Sequence, residues 1–550
     1  MLQGDIILIA IVLVLNIGLF ILAGIAEKFV TSKWRVCYAV PAVICLVIVT
    51  FTGFEAAMLG AYIGALLPLA GYLKDSKPVR RAASILSAAA ALVSFVLCSN
   101  WAGYRAADYA DDFKTAFTSM KQHYILAEHK GINWDELYAE YLPKFEAATK
   151  NHSETENYKA WLEFSSEFRD GHVGYVPDGN YEALAEKLYN EIFGNDYGLS
   201  VMTLADGTNV AVNVDESLKA IGISNGTIIT AWDGKNPADL GAELTKYSNM
   251  VFADKDNEMF YRAVYGSGVG GDTVTVAYLD KNGNEQSAVL PKLGSYYSGR
   301  MKSTLEIING GIDTGHLMWT DINDKTVALR LKLMMFDSDS MKNDNMERFK
   351  TSVLMKIEEL QQNTQVENII LDMRDNMGGS GSMVQALAEI FTPAGEHYYC
   401  TDGLWDAENK CYATDPETGK YLEGTKNFYT GEGIWKGQVI ILVNANSVSA
   451  GDHTVVVMDE FDNITVMGFT EPNGSAQGIG GVYLDNGMFQ FSSALLLDEN
   501  GDISVDSGVD FESGDDVEIK IPFDSEAVTA LFDNNEDYLL NKALEYLETK

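Results

Sequence analysis

The spacing of apolar residues changes character along the chain, and each change predicts a different kind of element. Residues 6–26, 36–54, 56–73 and 82–101 are near-continuous apolar runs, each close to the ~20 residues that a helix needs to cross a bilayer. Residues 104–183 switch to helical spacing. Phe113 and Phe117 lie four apart, and the pairs Leu137/Tyr141 and Tyr138/Leu142 repeat that step. Pro143 is expected to end or kink that helix. Residues 184–296 alternate short β-rich runs with Gly, Asn and Asp turns, as in Ala220–Ile229 and Gly271–Tyr278. From 297 onward strands and helices alternate. Thr326–Leu331, residues 367–373 and Val439–Val443 read as buried strands. Residues 344–362 put Met346, Phe349, Val353, Ile357 and Leu360 on one helix face, and a second helix is predicted over 383–391. The polar, Gly-rich stretch 393–436 reads as an insertion.

A chain of 550 residues is too long for one core, so several domains are expected. The predicted fold is multi-domain: four transmembrane helices in 1–103, a helical part in 104–183, a small β domain in 184–296 and an α/β core in 297–550. Charge is placed unevenly. Residues 1–103 carry seven Lys/Arg and four Asp/Glu, whereas the remainder carries a net charge of -41 within a total of -38. So acidic a surface lacks the basic stripe that nucleic-acid binding requires. Lys28, Lys33 and Arg35 follow the first apolar run, and Lys74, Lys77, Arg80 and Arg81 follow the third. The positive-inside rule places both loops in the cytoplasm, which puts everything after residue 102 on the extracytoplasmic side of a multi-pass protein in contact with membrane lipid. Cys37, Cys45 and Cys98 fall in the apolar runs. Cys400 and Cys411 flank a polar loop and are the pair open to a disulfide in an oxidising compartment.

Three segments carry candidate chemistry. Asn446-Ser447-Val448-Ser449-Ala450-Gly451-Asp452 lies between the strand Val439–Val443 and a helix predicted from His453. A strand-to-helix turn displays a serine hydroxyl and aims helix N-terminal N–H groups at a developing oxyanion. A small residue in that place also serves as an ordinary helix cap. The second segment is Phe168-Arg169-Asp170-Gly171-His172-Val173-Gly174-Tyr175. The third, Asn368–Gly379, runs from an apolar strand through Arg374-Asp375-Asn376 into Gly378-Gly379. In this order the three resemble the C-terminal processing peptidase / tricorn-core family of serine peptidases, over roughly residues 105 to 522. Met373 before Arg374 and Asp452 in the acidic position depart from the family pattern. The resemblance implies a polypeptide substrate, no cofactor, an α/β peptidase core and a PDZ-like domain in 184–296. The family's carboxylate-binding loop is matched at best by Tyr197-Gly198-Leu199-Ser200.

A serine needs a base to become a nucleophile. The resemblance offers two: a lysine about two dozen residues after the serine, or the histidine of the Asp-Gly-His segment. No lysine occurs between Lys436 and Lys520, and Asn473, Ser475 and Gln477 stand where one would be sought. That favours His172 over a Ser-Lys dyad, with His453, one helical turn beyond Ser449, as its rival. Asp506, before Gly508-Val509, is the candidate acid for the imidazole, with Asp510 and Glu512 as alternatives. Gly379 (or Gly378) and Ala450 are implied as oxyanion donors. Asp372 and Asp375 have no neighbouring ligand cluster at metal spacing. The expected activity is a membrane-anchored serine endopeptidase. The alternative is the same fold with an impaired site, binding peptides or envelope components as a scaffold or sensor.

Overall fold

The computed structural model describes residues 107–179, 181–248, 251–310, 317–335, 345–362, 365–506, 508 and 517–550. The four apolar runs of residues 1–103 lie outside the described residues. Among those described, no helix is long and apolar enough to cross a membrane. This corrects the four-helix transmembrane part of the expected fold class, and with it the multi-pass, extracytoplasmic location and the lipid contact. None of them is retained.

Residues Tyr109–Lys550 form one compact unit. It opens with three helices, α1 (Tyr109–His123), α2 (Trp134–Asn151) and α3 (Glu154–Ser166). Their shared core is aromatic. Phe113 stacks on Phe145 at 4.5 Å between centroids and meets Phe164 edge-on at 5.3 Å. The helix α2 does not end at Pro143 but runs on to Asn151. Asn133 caps its start by accepting the Glu136 N–H at 3.3 Å. Leu137, Tyr141, Phe145 and Ala148 bury one stripe, while Pro143 faces solvent. Burial of that stripe offsets the ~3 kcal/mol that a proline costs inside a helix.

Strand β1 (Gly174–Pro177) follows α3 after the Arg169–Val173 segment. Further on, β2 (Ile229–Trp232), β3 (Thr273–Leu279) and β4 (Glu285–Pro291) form an antiparallel sheet. It packs around Tyr197, Leu199, Val201, Trp232 and Val276. The glycine of the Tyr197–Ser200 loop donates its N–H to Asp196 Oδ1 at 2.8 Å. That amide is therefore spent internally, on a carboxylate that also pairs with Arg300.

The second half is built on a six-stranded sheet. Its members are β5 (Met318–Asp321), β6 (Thr326–Arg330), β7 (Asn368–Asp372), β8 (Gln438–Val443), β9 (Ile464–Gly468) and β10 (Ile519–Lys520), in the spatial order β10-β9-β8-β7-β6-β5. All neighbours are parallel except β5 with β6. The strands β6 to β9 are apolar almost throughout because both faces are covered. The helices α4 (Asn345–Gln362), α5 (Gly381–Phe391) and α6 (Ala450–Met458) supply the cover, α4 through Phe349, Val353, Ile357 and Leu360. The 393–436 insertion contains a hairpin of Gly395–Gly403 with Glu423–Gly431. Cys400 is buried on it, Cys411 is exposed, and both thiols are free.

Two pairings position the site. The strands β7 and β8 are parallel neighbours, with Leu371 opposite Ile441. The loops after their C-terminal ends therefore emerge side by side, where open α/β sheets place their ligands. The second pairing is antiparallel. Strand β1 joins β11 (Gly487–Ala494), with Gly174 opposite Gln490, and β12 (Gly478–Leu484) pairs with the other edge of β11. This pairing carries the Asp170–His172 segment from the helical part onto the sheet half.

Candidate active site

Ser449 is the residue before the first turn of α6, at φ 63 and ψ -123. A non-glycine residue in that region is strained, and such strain collects at functional turns. Its side chain makes no capping bond, so the hydroxyl is not spent on its own helix. Its backbone is fixed from both directions: the N–H donates to the Ser475 carbonyl at 2.8 Å, and its carbonyl accepts the His453 N–H at 2.9 Å.

The β7 loop closes against it. A Cβ added at Gly378 would lie 2.5 Å from Ser449 Cβ and 2.7 Å from the Val448 carbonyl, so only glycine fits at its φ of +78. The Gly378 N–H donates to Asn376 Oδ1 at 2.9 Å, and the Gly378 carbonyl accepts from Met334 at 2.7 Å. Asn376 also accepts the Val448 N–H through its carbonyl at 3.0 Å. Among the described residues no acceptor is recorded for the N–H of Gly379 or of Ala450. The N–H of Gly378, by contrast, is taken.

The Asp170–His172 segment meets the serine turn through the loop before β12. A Cβ on Gly171 would strike Asn473 Oδ1 at 2.3 Å and approach Val448 at 3.1 Å. The Gly171 N–H donates to Ser475 Oγ at 2.8 Å. Ser475 thus holds the histidine segment with its hydroxyl and the serine turn with its carbonyl. Asp452 pins the same loop, accepting the N–H groups of Gly474 and Ser475 at 2.7 and 2.9 Å. Burial pushes its carboxyl up to about 7 against those two hydrogen bonds. The positions where a lysine base was sought therefore hold this loop: Asn473 also donates to the Ala445 carbonyl, and Gln477 to that of Ser504.

His172 is buried, and its Nε2 has no hydrogen-bond partner among the described residues. Its Nδ1 lies 3.5 Å from Ser492 Oγ on β11. Burial lowers its pKa from the ordinary 6.5, and the Asp170 charge acts in the opposite direction. The rival His453 is also buried, which pushes it down to about 4. Its ring lies against Tyr399, 5.0 Å between centroids.

Asp506 is fully buried, and its recorded ion-pair partner is Lys130, 3.5 Å from Oδ1. Lys130 also donates to the Arg169 carbonyl at 2.8 Å. Burial raises the Asp506 carboxyl, Lys130 opposes this, and Asp170 and Asp452 reinforce it. The acid thus sits in the same charged cluster as the histidine segment, with its carboxylate turned to a lysine. Asp510 and Glu512 lie outside the described residues. Asp372 is held by Arg330 and Arg374, and Asp375 by Asn444 and Asn446. Among the described residues no group of three or more His, Cys, Asp or Glu is arranged to hold a metal ion. Sequence reasoning missed Ser475, Ser492 and Lys130. Each acts through a partner distant in the chain, and none lies in a recognisable motif.

Comparisons with known proteins agree with this architecture. The model of peptidase family S41 matches residues 335–510, and that of the tricorn protease C1 domain matches 105–153. No curated protein matches the chain. Among solved structures, mature CPAF complexed with lactacystin is similar at 12% identity and a TM-score of 0.50, over 81% of this chain and 99% of that one. A putative peptidase from Parabacteroides merdae matches at 14% identity and 0.41, over 80% and 97%. The photosystem II D1 C-terminal processing protease matches at 15% and 0.32, over 78% and 99%. His172 lies outside both family-model matches. The match to the model of peptidase family S41 thus spans the Gly378-Gly379 turn, Ser449 and Asp506.

Proposed function

We propose that the chain is a serine endopeptidase working through Ser449 and His172. His172 takes the proton from the Ser449 hydroxyl as the oxygen attacks a peptide carbonyl, then returns it to the leaving amine. The N–H groups of Gly379 and Ala450 receive the oxyanion. Asp506 enters as one member of the buried charge cluster behind the histidine segment. Lys130, the buried lysine of that cluster, spends its ammonium on Asp506 and the Arg169 carbonyl, which leaves His172 as the base. In this reading an extended polypeptide lies along β12, an edge strand that exposes Ile479 and Tyr483 and leads directly from the Ser475 loop.

The observation that carries the reading is the strained, uncapped Ser449 with Gly378 packed on it and Gly171 packed on the residue before it. The test is hydrolysis of a mixed library of unstructured peptides by the full chain, beside Ser449→Ala and His172→Ala. Loss of cleavage in both folded variants is expected. Cleavage that survives His172→Ala would transfer the base to another group, and a folded wild-type chain that cleaves nothing would reject the peptidase reading.

A further inference from the structure

The orienting partner of His172 follows from which atoms are already spent. The Ser492 hydroxyl donates to Asp170 Oδ2 at 2.8 Å, a carboxylate oxygen that can only accept. The Ser492 oxygen is then left as an acceptor toward His172 Nδ1, 3.5 Å away. That assigns the ring proton to Nδ1 and the free lone pair to Nε2, the buried nitrogen without a partner. The other oxygen of Asp170 accepts the backbone N–H of His172 itself at 2.8 Å, so carboxylate and imidazole are fixed to one short stretch of chain. All three side chains are buried.

We propose that Ser492 is a positioning residue, coupling the imidazole of His172 to the carboxylate of Asp170 through a relay of two hydrogen bonds. This rests on His172 being the base. The Nδ1–H donates to Ser492 Oγ, and the Ser492 O–H donates to Asp170 Oδ2. When Nε2 accepts the serine proton the imidazolium keeps both of its protons, and none passes along the relay. The 3.5 Å separation is long for a resting N–H···O bond and shortens as the ring becomes charged, because charge-assisted bonds are shorter. Asp170 performs the task for which Asp506 was the sequence candidate, while Asp506 is balanced by Lys130. The other titratable groups facing Asp170 are Tyr124, whose hydroxyl is raised first by burial and further by Asp170 and Asp506, and Asp506 itself; Asp452 and the backbone-bonded His129 border Asp506.

The test compares the pH dependence of peptide hydrolysis in the full chain with that of Ser492→Ala, Asp170→Asn and His172→Ala. Ser492→Ala should lower kcat by about 10–100-fold, a part of the ~10²–10⁴-fold that general-base catalysis supplies, with KM nearly unchanged. Its acidic limb should move to lower pH, because the imidazolium loses its partner. Asp170→Asn should move the limb further in the same direction. A folded Ser492→Ala with the wild-type limb and kcat, or one that only melts earlier, overturns the proposal while His172→Ala inactivity keeps the peptidase reading intact. Full activity in His172→Ala overturns the relay and His172 as the base together, and leaves a peptidase with another base. Should Ser492→Ala fail to fold, the limb of Asp170→Asn decides in the same way.

Discussion

Replacing Gly378 by alanine tests the closeness of the two loops more directly than any change to the nucleophile. The new Cβ would sit 2.5 Å from Ser449 Cβ, 2.7 Å from the Val448 carbonyl and 3.0 Å from Ser449 Oγ. Carbon atoms in contact stand ~3.5–4.0 Å apart, so one loop must retreat by about 1 Å. The backbone must also keep a φ of +78, which costs an alanine roughly 1–2 kcal/mol. Overpacking of this kind adds about 1–3 kcal/mol, for a total destabilisation of about 2–5 kcal/mol. The activity should suffer separately, because a displacement near 1 Å at a reacting group costs on the order of 10²-fold. Gly174 is the control: it lies in the same segment as His172, has no positive φ, and an added Cβ there meets nothing within 4 Å. Urea denaturation and peptide hydrolysis should therefore separate Gly378→Ala from an unaffected Gly174→Ala. A Gly378→Ala chain that hydrolyses peptide within about threefold of wild type would show that the serine is not held against this turn, and the oxyanion assignment would fall with it.

Two further perturbations address the frame behind the site. Arg374 is fully buried and bonds Asp372 and Asp537 in two bidentate pairs, all four contacts at 2.8 Å. Arg374→Leu leaves Asp537 without this cation and Asp372 with Arg330 alone, and should cost about 3–5 kcal/mol, read as a lowered urea midpoint; a midpoint shift worth under 1 kcal/mol would contradict it. Asp452 has its folded pKa raised from 3.8 to about 7 by burial, so between those values the folded chain holds a proton that the unfolded chain has lost. Stability from this group is therefore lost as pH rises from about 4 to about 7, by up to a few kcal/mol at roughly 1.4 kcal/mol per pKa unit. Asp452→Asn keeps an oxygen for the Gly474 and Ser475 amides and carries no charge. Its stability relative to wild type should rise across that window and level off above it; a flat difference would refute the burial argument.

The elements most legible in the sequence were those set by burial alone. The stripe Phe349, Val353, Ile357 and Leu360 fixed the face of α4, and the apolar runs at 369–371 and 439–443 announced strands covered on both faces. That the helix runs on past Pro143 was not legible locally, because tertiary context decides it. Its ring cost is carried by a core made from three helices, which the periodicity of one helix does not show. Register was likewise hidden. Nothing in Gly174–Pro177 says that it will pair with Gly487–Ala494, more than 300 residues further along.

That hidden register explains why the nucleophile was easier to read than its helpers. Ser449 owes its geometry to a strand and a helix adjacent in sequence, and Gly378 meets it because two parallel neighbours end together, so local patterns carry both. The contact of His172 with Ser492, 320 residues away, is delivered instead by the β1–β11 pairing. Asp506 was the natural candidate because an acid before Gly-Val has a recognisable setting, whereas Asp170, two residues from the histidine, looks like part of a turn. Burial changes that ranking. Three carboxylates, Asp170, Asp452 and Asp506, are buried close enough to act on one another, with Lys130 as the cation recorded among them. The lysine is committed to Asp506 and two backbone amides to Asp452, which leaves the Asp170 carboxylate to serve the imidazole through a neutral hydroxyl. A direct contact between acid and imidazole is therefore not required at this site, and the serine on β11 is the residue whose removal should reveal it.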